Sequence, residues 1–252
     1  MNSCPDNKIL EIEGLSKDYK GQPILENIHL ELKEEEFVTL LGPSGCGKST
    51  LFNLIAGLIT PKTGTILLKG EDVTGQTGRV SYMHQKDLLL PWRDVIGNGA
   101  VPLEIRGHSK EDARREVADS LAVFGLDGHG HKYPSQLSGG MRQRVSLLRT
   151  TMFSKEIMLL DEPFGGLDAM TRFAMQQYLL KVLKEIRGSV IFITHDIEEA
   201  VFLSDRIYVM KGAPARIVDE VRVPLEKPRK PEILSLPEFH ALREYILKQL
   251  EE

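Results

Sequence analysis

The sequence predicts an α/β protein with a parallel-sheet core, an antiparallel β subdomain at the N-terminus and an α-helical subdomain inserted into the core. Short apolar segments, among them EFVTLL, EIMLLDEP and SVIFITHD, alternate with helical segments, a pattern that is typical of buried parallel strands. The first forty residues instead alternate in part with a period of two, as half-exposed strands do. Residues from about 94 to 151 carry helical periodicity.

The first elements in the chain are expected to be strands. KILEIE and PILENIHLEL alternate polar and apolar residues, and EFVTLL leads directly into Gly42. A helix is predicted over residues 48–58, because four apolar residues fall on one helical face. These residues are Leu51, Leu54, Ile55 and Leu58. GTILLKG and GRVSYMHQ are further strand candidates.

The inserted segment, about 94–151, is predicted to be helical. In KEDARREVADSLAVFGL the apolar residues that share a helical face are Ala113, Val117, Leu121 and Phe124. After the insert, strand and helix segments alternate again: EIMLLDEP, a helix from Ala169 to Ile186, SVIFITHD, a short helix and RIYVM. We therefore expect one large domain over residues 8–221, with the helical subdomain inside it.

Residues 222–252 are expected to form a tail that ends in an amphipathic helix. Ser235 and Glu238 have the spacing of a capping box. An apolar stripe follows at helical spacing and consists of Leu236, Phe239, Leu242, Ile246 and Leu250. We predict that this stripe packs on the chain's own domain, and a partner-binding helix is the alternative.

Composition excludes several classes of function. The formal net charge is -4, whereas a general nucleic-acid binder carries an excess of Lys and Arg; no nucleic-acid partner is expected. The two cysteines, Cys4 and Cys46, lack the spacing of a zinc site and fit a reducing cytosol. Neither a signal peptide nor an apolar run of ~20 residues is present. Any role at a membrane is therefore expected to act through a partner.

The segment GPSGCGKST matches the phosphate-loop pattern G-x-x-x-x-G-K-[ST] between a predicted strand and a predicted helix. Its glycines let backbone N–H groups surround phosphates. Lys48 can reach the β- and γ-phosphates, and the Ser49 hydroxyl can ligate Mg²⁺. The alternative is a glycine-rich turn that binds nothing. The candidate phosphate-binding residues are Gly42, Pro43, Ser44, Gly45, Cys46, Gly47, Lys48, Ser49 and Thr50.

Polar residues at the ends of three predicted strands are candidates for the chemistry. Asp161 and Glu162 end IMLLDEP; Asp161 suits a Mg²⁺ shell, and Glu162 suits a general base for an attacking water. His195 follows FIT and could contact a γ-phosphate. Gln85 ends RVSYMHQ and could bridge metal and water. Taken alone, an acidic pair is usually a solvated strand end, a lone His is as compatible with a structural role, and a Gln in a loop is unremarkable. The phosphate-loop pattern favours a functional role for Asp161 and Glu162.

A second glycine-rich helix start lies in YPSQLSGGMRQRVSLL. Its apolar residues, Met141, Val145, Leu148 and Met152, fall on one helical face. The N-terminus of a helix attracts anions, because its N–H groups and the positive end of the dipole point the same way. The sequence therefore predicts two anion sites in one domain.

Taken together, these motifs resemble the ATP-binding subunit of an ABC transporter, a P-loop NTPase, over roughly residues 10–221. GPSGCGKST is similar to Walker A, Gln85 to the Q-loop and LSGGMRQR to the signature. IMLLDEP is similar to Walker B, GGLD to the D-loop and ITHD to the H-loop. The resemblance implies ATP hydrolysis with Mg²⁺. It also implies that Tyr19 stacks on adenine.

The same resemblance accounts for the second anion site. In such proteins two copies pair head to tail around ATP. Ser138, Gly139 and Gly140 of one copy then bind the γ-phosphate held by the other copy, and Asp168 of the D-loop crosses the interface. Hydrolysis removes the linking phosphate and lets the copies part.

The run LLPW in HQKDLLLPWRDV, together with the C-terminal segment, is similar to the importer group for nitrate, sulfonates, taurine and thiamine precursors. This similarity implies integral-membrane permease partners, an indirect solute-binding protein and a peripheral place on the cytoplasmic face of the membrane. Residues 88–92 are predicted to dock on the permease as exposed apolar bulk; a buried loop cluster is the alternative. Gly166 and the glycines of VIGNGAVPL depart from the group's pattern.

Two other functions remain as alternatives. A soluble ABC-type ATPase not linked to transport usually carries a long coiled coil or a second ATPase domain, and this sequence has neither. A GTPase should carry N-K-x-D, which does not occur here, and a kinase would not need LSGGMRQR.

Overall fold

The computed structural model describes residues 7–251; residues 1–6, which include Cys4, and residue 252 lie outside the described residues. The contacts divide the described chain into two units. The first unit consists of residues 7–80 and 189–251, and the second unit of residues 81–188. The predicted bounds of the helical subdomain, 94–151, stay a prediction.

Within residues 7–251 the strands are β1 (Lys8–Tyr19), β2 (Gln22–Lys33), β3 (Phe37–Leu41), β4 (Thr63–Leu68), β5 (Glu71–Asp72), β6 (Ser81–Met83), β7 (Ile157–Asp161), β8 (Ser189–Thr194), β9 (Arg206–Gly212) and β10 (Ala215–Arg222). The helices are α1 (Lys48–Ile55), α2 (Val95–Ile105), α3 (Lys110–Ser120), α4 (Gly139–Phe153), α5 (Ala169–Ile186), α6 (Ile197–Leu203) and α7 (Pro237–Glu251). Two short 3₁₀ helices cover Pro134–Gln136 and Pro231–Ser235.

The first unit contains a mixed sheet in the order β5-β4-β1-β2-β10-β9-β3-β8. Strand β3 pairs in parallel with both β8 and β9. Every residue of β3 and β8 is buried, which explains why their sequences are near-continuous apolar runs. Strand β1 pairs antiparallel with both β2 and β4. Strands β1 and β2 alternate in part in burial, as the period of two predicts.

Helix α1 is shorter than predicted. It ends at Ile55, with Ala56 as the C-cap and Gly57 in the left-handed region at φ +70°. A glycine in this conformation terminates a helix readily, because it carries no Cβ to clash. Leu58, which was predicted to share the buried face, is 55% exposed as a result.

The C-terminal helix α7 packs on its own unit, against α6 and β9, as predicted. Phe239 and Ile246 supply the buried part of its stripe, and Lys211 Nζ donates to the carbonyl of Gln249 at 3.2 Å. The predicted capping box was wrong. Ser235 lies in the preceding 3₁₀ helix and donates to a backbone carbonyl there, and α7 begins at Pro237, a residue whose fixed φ suits a first helical position.

The second unit combines the parallel pair β6–β7 with helices α2 to α5. The predicted bounds of α5 are confirmed. Helix α3 ends at Ser120, before the last members of its predicted stripe, yet Leu121 and Phe124 are also buried. Val145 and Leu148 are the fully buried members of the predicted α4 face. No helix among residues 7–251 combines the length and the apolar character that crossing a bilayer requires.

Candidate functional site

The phosphate-loop candidate, residues 42–47, connects β3 to α1 in the first unit. Gly47 is the N-cap of α1, with φ +105°, and the helix has no side-chain cap and no acidic residue in its first turn. The first N–H groups of α1 thus lack both the usual side-chain acceptor and a competing negative charge. This helix start is suited to receive an anion.

Lys48 is 5% exposed, and its ammonium donates to the carbonyls of Gly42 at 2.8 Å and Pro43 at 2.9 Å. An ammonium carries three N–H donors, so these two bonds hold it over the loop and leave the third donor for another acceptor.

Burial raises the pKa of the Cys46 thiol, which keeps it protonated and unreactive. Cys46 therefore contributes to the loop through its backbone rather than through its thiol. Ser49 lies at the second position of α1 and is exposed, as are Pro43, Ser44 and Gly45, whereas Thr50 is half-buried.

Tyr19 and His195 also belong to the first unit. Tyr19 ends β1 with its side chain 46% exposed, and Lys17 Nζ lies 5.3 Å from the ring centroid. An exposed aromatic ring in contact with a cation is a suitable surface on which a nucleotide base can stack.

His195 follows β8 and is exposed. The next residue, Asp196, caps α6 by accepting from the Glu199 amide at 3.1 Å, so the backbone beside His195 is fixed.

In the second unit, Asp161 ends β7 and is 8% exposed. The hydroxyl of Tyr82, in β6, donates to Asp161 Oδ2 at 3.2 Å. The ring of His84 stacks on the ring of Tyr82, with 4.0 Å between centroids. Tyr82 was not identified from the sequence, although the alternation in RVSYMHQ carried the signal that it projects from the same face as His84.

Glu162 and Gln85 lie together. Gln85 Nε2 donates to Glu162 Oε2 at 3.3 Å. Glu162 has φ +42°, a conformation that costs a non-glycine residue about 1–3 kcal/mol and that clusters at active sites. The structure thus stores backbone strain at the residue predicted to be the general base, next to Gln85.

Each unit offers ligands of the kind that Mg²⁺ prefers. The second unit has the Asp161 carboxylate and the Gln85 amide oxygen, and the first unit has the Ser49 hydroxyl, all of them hard oxygen ligands. Among the described residues, no three or more His, Cys, Asp or Glu side chains cluster as a metal cage. Mg²⁺ needs no such cage, because it is usually held by one or two carboxylates together with substrate phosphates.

The second glycine-rich helix start is built differently. Ser138 is the N-cap of α4, and its hydroxyl accepts from the Met141 amide at 3.3 Å. A Cβ placed on Gly139 or Gly140 would meet only ordinary van der Waals contacts, with Leu167 at 3.7 Å and Thr171 at 3.6 Å. This helix start is capped by its own chain.

Asp168 is the N-cap of α5, and its carboxylate accepts from the Thr171 amide at 3.0 Å. Hydrogen bonding to Thr171 lowers the pKa of Asp168, so the group is ionised at neutral pH. Gly166, one of the departures from the importer pattern, has φ +80° with nothing near its missing Cβ. Glycine is the residue best suited to this left-handed turn.

The 88–92 loop carries exposed apolar side chains, as predicted: Trp92 is 71% and Leu88 52% exposed. Two residues of the loop depart from the prediction, because Leu89 is buried and Leu90 is half-buried. Helix α4 holds the start of this loop. Arg149 donates to the carbonyls of Leu88 at 2.7 Å and Asp87 at 2.6 Å, so the exposed side chains stand on a fixed backbone.

Helix α2 holds the other end of the loop. Asn98 is fully buried, accepts from the Leu90 amide at 2.7 Å and donates to the carbonyls of Leu90 and Arg93. The second departure, the glycines of VIGNGAVPL, makes room beside Asn98. A Cβ on Gly99 would lie 2.7 Å from Val117, so glycine lets α3 approach α2. Sequence reasoning missed both Arg149 and Asn98.

Comparison with known proteins gives the same picture. Residues 25–165 match the family described as ABC transporter. The chain is 42% identical over 245 residues to the taurine import ATP-binding protein TauB of Yersinia pseudotuberculosis serotype I (strain IP32953). The alignment covers 95% of this chain and 96% of that protein.

Two solved structures are similar as well. The dimeric post-hydrolysis state of the ATP-binding cassette MJ0796 bound to ADP and Pi aligns with a TM-score of 0.72 and 28% identity, covering 86% of this chain and 100% of that one. CbiO1 from Clostridium perfringens, part of the ABC transporter complex cbiONQ, aligns with a TM-score of 0.80 and 24% identity, covering 96% and 97%. The latter likeness shows the fold alone. The predicted fold, an α/β P-loop NTPase, is confirmed.

Proposed function

Because this chain belongs to the ABC transporter family, we propose that it is the ATP-hydrolysing subunit that energises an importer for a small solute. The 42% identity to a taurine import ATP-binding protein spans nearly the whole chain. This identity supports an importer over a soluble ABC-type ATPase not linked to transport. Nitrate, sulfonates, taurine and thiamine precursors are the solute classes that we propose.

The Glu162–Gln85 pair is the observation that supports ATP hydrolysis most directly. A carboxylate on a strained backbone, oriented by an amide at 3.3 Å, is arranged as a general base for water. The uncapped start of α1 and the Lys48 ammonium would bind the triphosphate. Tyr19 would stack on adenine, and His195 would contact the γ-phosphate.

Asp161, Ser49 and Gln85 would hold Mg²⁺, which when bound neutralises charge on the phosphates. Asp161 is nearly buried and hydrogen-bonded by Tyr82, so its carboxylate is oriented before any cation arrives. The exposed Ser49 hydroxyl lies one residue after Lys48, where it would reach the same phosphates as the ammonium.

We propose that ATP joins two copies of this chain head to tail. The MJ0796 cassette is dimeric with ADP and Pi bound, which supports such a pairing. Ser138, Gly139 and Gly140 would meet the γ-phosphate held by the partner copy. Asp168, ionised and exposed on its helix start, would lie at the interface.

Glu162→Gln tests the proposed catalysis. It keeps the shape of the side chain and removes the base, so we expect ATP turnover to fall by about 10²–10⁴-fold while nucleotide binding persists. The variant should also elute as an ATP-bound dimer on gel filtration, because the linking phosphate is no longer cleaved.

Glu185→Gln is the matched control, since Glu185 is an exposed residue of α5; it should turn over ATP at the wild-type rate. Wild-type turnover in purified Glu162→Gln would contradict the assignment.

We further propose that the 88–92 loop docks on an integral-membrane permease, which would place the chain peripherally on the cytoplasmic face of the membrane. Trp92 and Leu88 are exposed on a backbone that α2 and α4 both hold. A rigid apolar loop loses little entropy when a partner covers it. A solute-binding protein would then act indirectly, through the permease.

Trp92→Ala should therefore abolish uptake of taurine, nitrate or an alkanesulfonate in cells while it leaves the ATPase of the isolated chain largely intact. Val218→Ala, which also truncates an exposed apolar side chain, should leave both unchanged. Normal uptake by a stably folded Trp92→Ala variant would reject this docking surface.

A further inference from the structure

Tyr82 has no role in the proposed chemistry, yet it touches the residue proposed to hold Mg²⁺. In the parallel β6–β7 pair, Tyr82 lies opposite Leu159. Residues two apart in a strand project from the same face, so Tyr82 and Asp161 share one face of the pair. The register thus explains why the Tyr82 hydroxyl reaches Asp161 Oδ2, at 3.2 Å.

The environment of Tyr82 makes it a reliable donor. A phenolic hydroxyl is a hydrogen-bond donor at neutral pH, and Tyr82 is half-buried, which shields its bond to Asp161 from water. The His84 ring is stacked on the phenol, with an interplanar angle of 28°. This stacking restricts sideways movement of the Tyr82 side chain, which keeps the hydroxyl within reach of the carboxylate.

We propose that Tyr82 is a positioning residue that orients the Asp161 carboxylate for a divalent cation, with His84 holding the Tyr82 ring in place. This inference rests on the proposed function, in which Asp161 holds Mg²⁺. Carboxylates that bind metals are themselves hydrogen-bonded, and loss of such a partner typically costs 10–100-fold in metal affinity. Tyr82 therefore acts through Asp161 and needs no contact with the nucleotide.

The test measures how much Mg²⁺ tightens nucleotide binding. The affinity of the fluorescent analogue MANT-AMPPNP is measured by anisotropy in EDTA and again in Mg²⁺, and the ratio of the two gives the tightening. Tyr82→Phe removes only the hydroxyl. We expect the tightening to fall about 10-fold, while the affinity in EDTA stays at the wild-type value.

Tyr178→Phe is the matched control. Tyr178 belongs to the same unit, and its partly buried hydroxyl donates to the Phe124 carbonyl at 2.9 Å. Both variants thus lose one hydrogen-bonded hydroxyl, but only one of these hydroxyls contacts Asp161. Tyr178→Phe should keep the full tightening by Mg²⁺.

A double-mutant cycle separates positioning from a general structural effect. In an Asp161→Asn background, Tyr82→Phe should cause no further loss of tightening, because the carboxylate that the Tyr82 hydroxyl positions is absent. A further loss as large as in the wild-type background would overturn the inference, and so would full tightening in Tyr82→Phe itself.

His84→Ala keeps the inference testable if Tyr82→Phe does not fold. His84 is exposed, so its loss should be tolerated, and the tightening should still fall by about 2–3-fold because the Tyr82 ring is less restrained. Unchanged tightening in that variant would overturn the inference. A wild-type chain that binds MANT-AMPPNP in neither buffer would instead overturn the proposed function, and this inference with it.

Discussion

The chain contains two glycine-rich helix starts, and their N-caps differ. At α1 the N-cap is Gly47, in the left-handed region, and no side chain caps the helix. At α4 the N-cap is Ser138, in the extended region, and its hydroxyl accepts from the helix's own Met141 amide. Both starts attract anions, but only the first leaves its opening N–H groups without a side-chain acceptor.

This difference indicates a division of labour. The start of α1 lacks a partner that a phosphate would supply, and the buried Lys48 ammonium lies over the same loop. The start of α4 is already satisfied for one N–H group, so α4 folds without a ligand and can present Ser138 at the surface. We therefore expect α1 to bind its own chain's nucleotide and α4 to meet that of a partner.

The largest expected effect comes from mixing two damaged chains, one with Lys48→Ala and one with Ser138→Arg. Each homodimer has a lesion in both sites. In a head-to-tail heterodimer one composite site collects both lesions, and the other keeps an intact Lys48 and an intact Ser138. Nucleotide trapping with vanadate should therefore reappear in the purified heterodimer, at up to one site per dimer.

Trapping is the preferred measurement because it reports a single competent site even if turnover requires two. If α4 served the nucleotide of its own chain, every site would keep one lesion and mixing would restore nothing. Heterodimer trapping at the level of the two mutant homodimers would thus break the proposed division between the two helix starts.

A smaller effect is expected from the same substitution at both starts. A Cβ at Gly47 would lie 3.0 Å from Leu25 on a backbone with φ +105°, so Gly47→Ala should lower the free energy of unfolding by about 1–3 kcal/mol. A Cβ at Gly139 would lie 3.7 Å from Leu167 in a helical conformation. Gly139→Ala should be neutral or stabilise the chain by up to about 1 kcal/mol.

Urea unfolding followed by circular dichroism, without nucleotide, measures both variants under one condition. Measuring Gly47→Ala and Gly139→Ala without nucleotide excludes any effect of phosphate binding, so a difference between them reports backbone geometry alone. Equal losses at the two glycines would show that the left-handed N-cap is not what distinguishes α1 from α4.

The elements that the sequence predicted well are those set by local chemistry. The bounds of α5 follow from Asp168 as a cap and from helical periodicity, and the loop between β3 and α1 follows from its glycines. The errors were also local. Helix α1 stops at Ile55 because of the left-handed Gly57, and Ser235 bonds within a 3₁₀ helix that no periodicity signalled.

The sequence by itself determined the family, the order of the motifs and the residue types of the candidate site, because these depend on short-range sterics, hydrophobic periodicity and fixed spacing along the chain. Only the tertiary structure decided how those residues are supported. Tyr82 reaches Asp161 across 79 positions of the chain, and Arg149 reaches Asp87 across 62. Such contacts depend on strand register and on helix packing, which bring distant segments together and which no local pattern encodes.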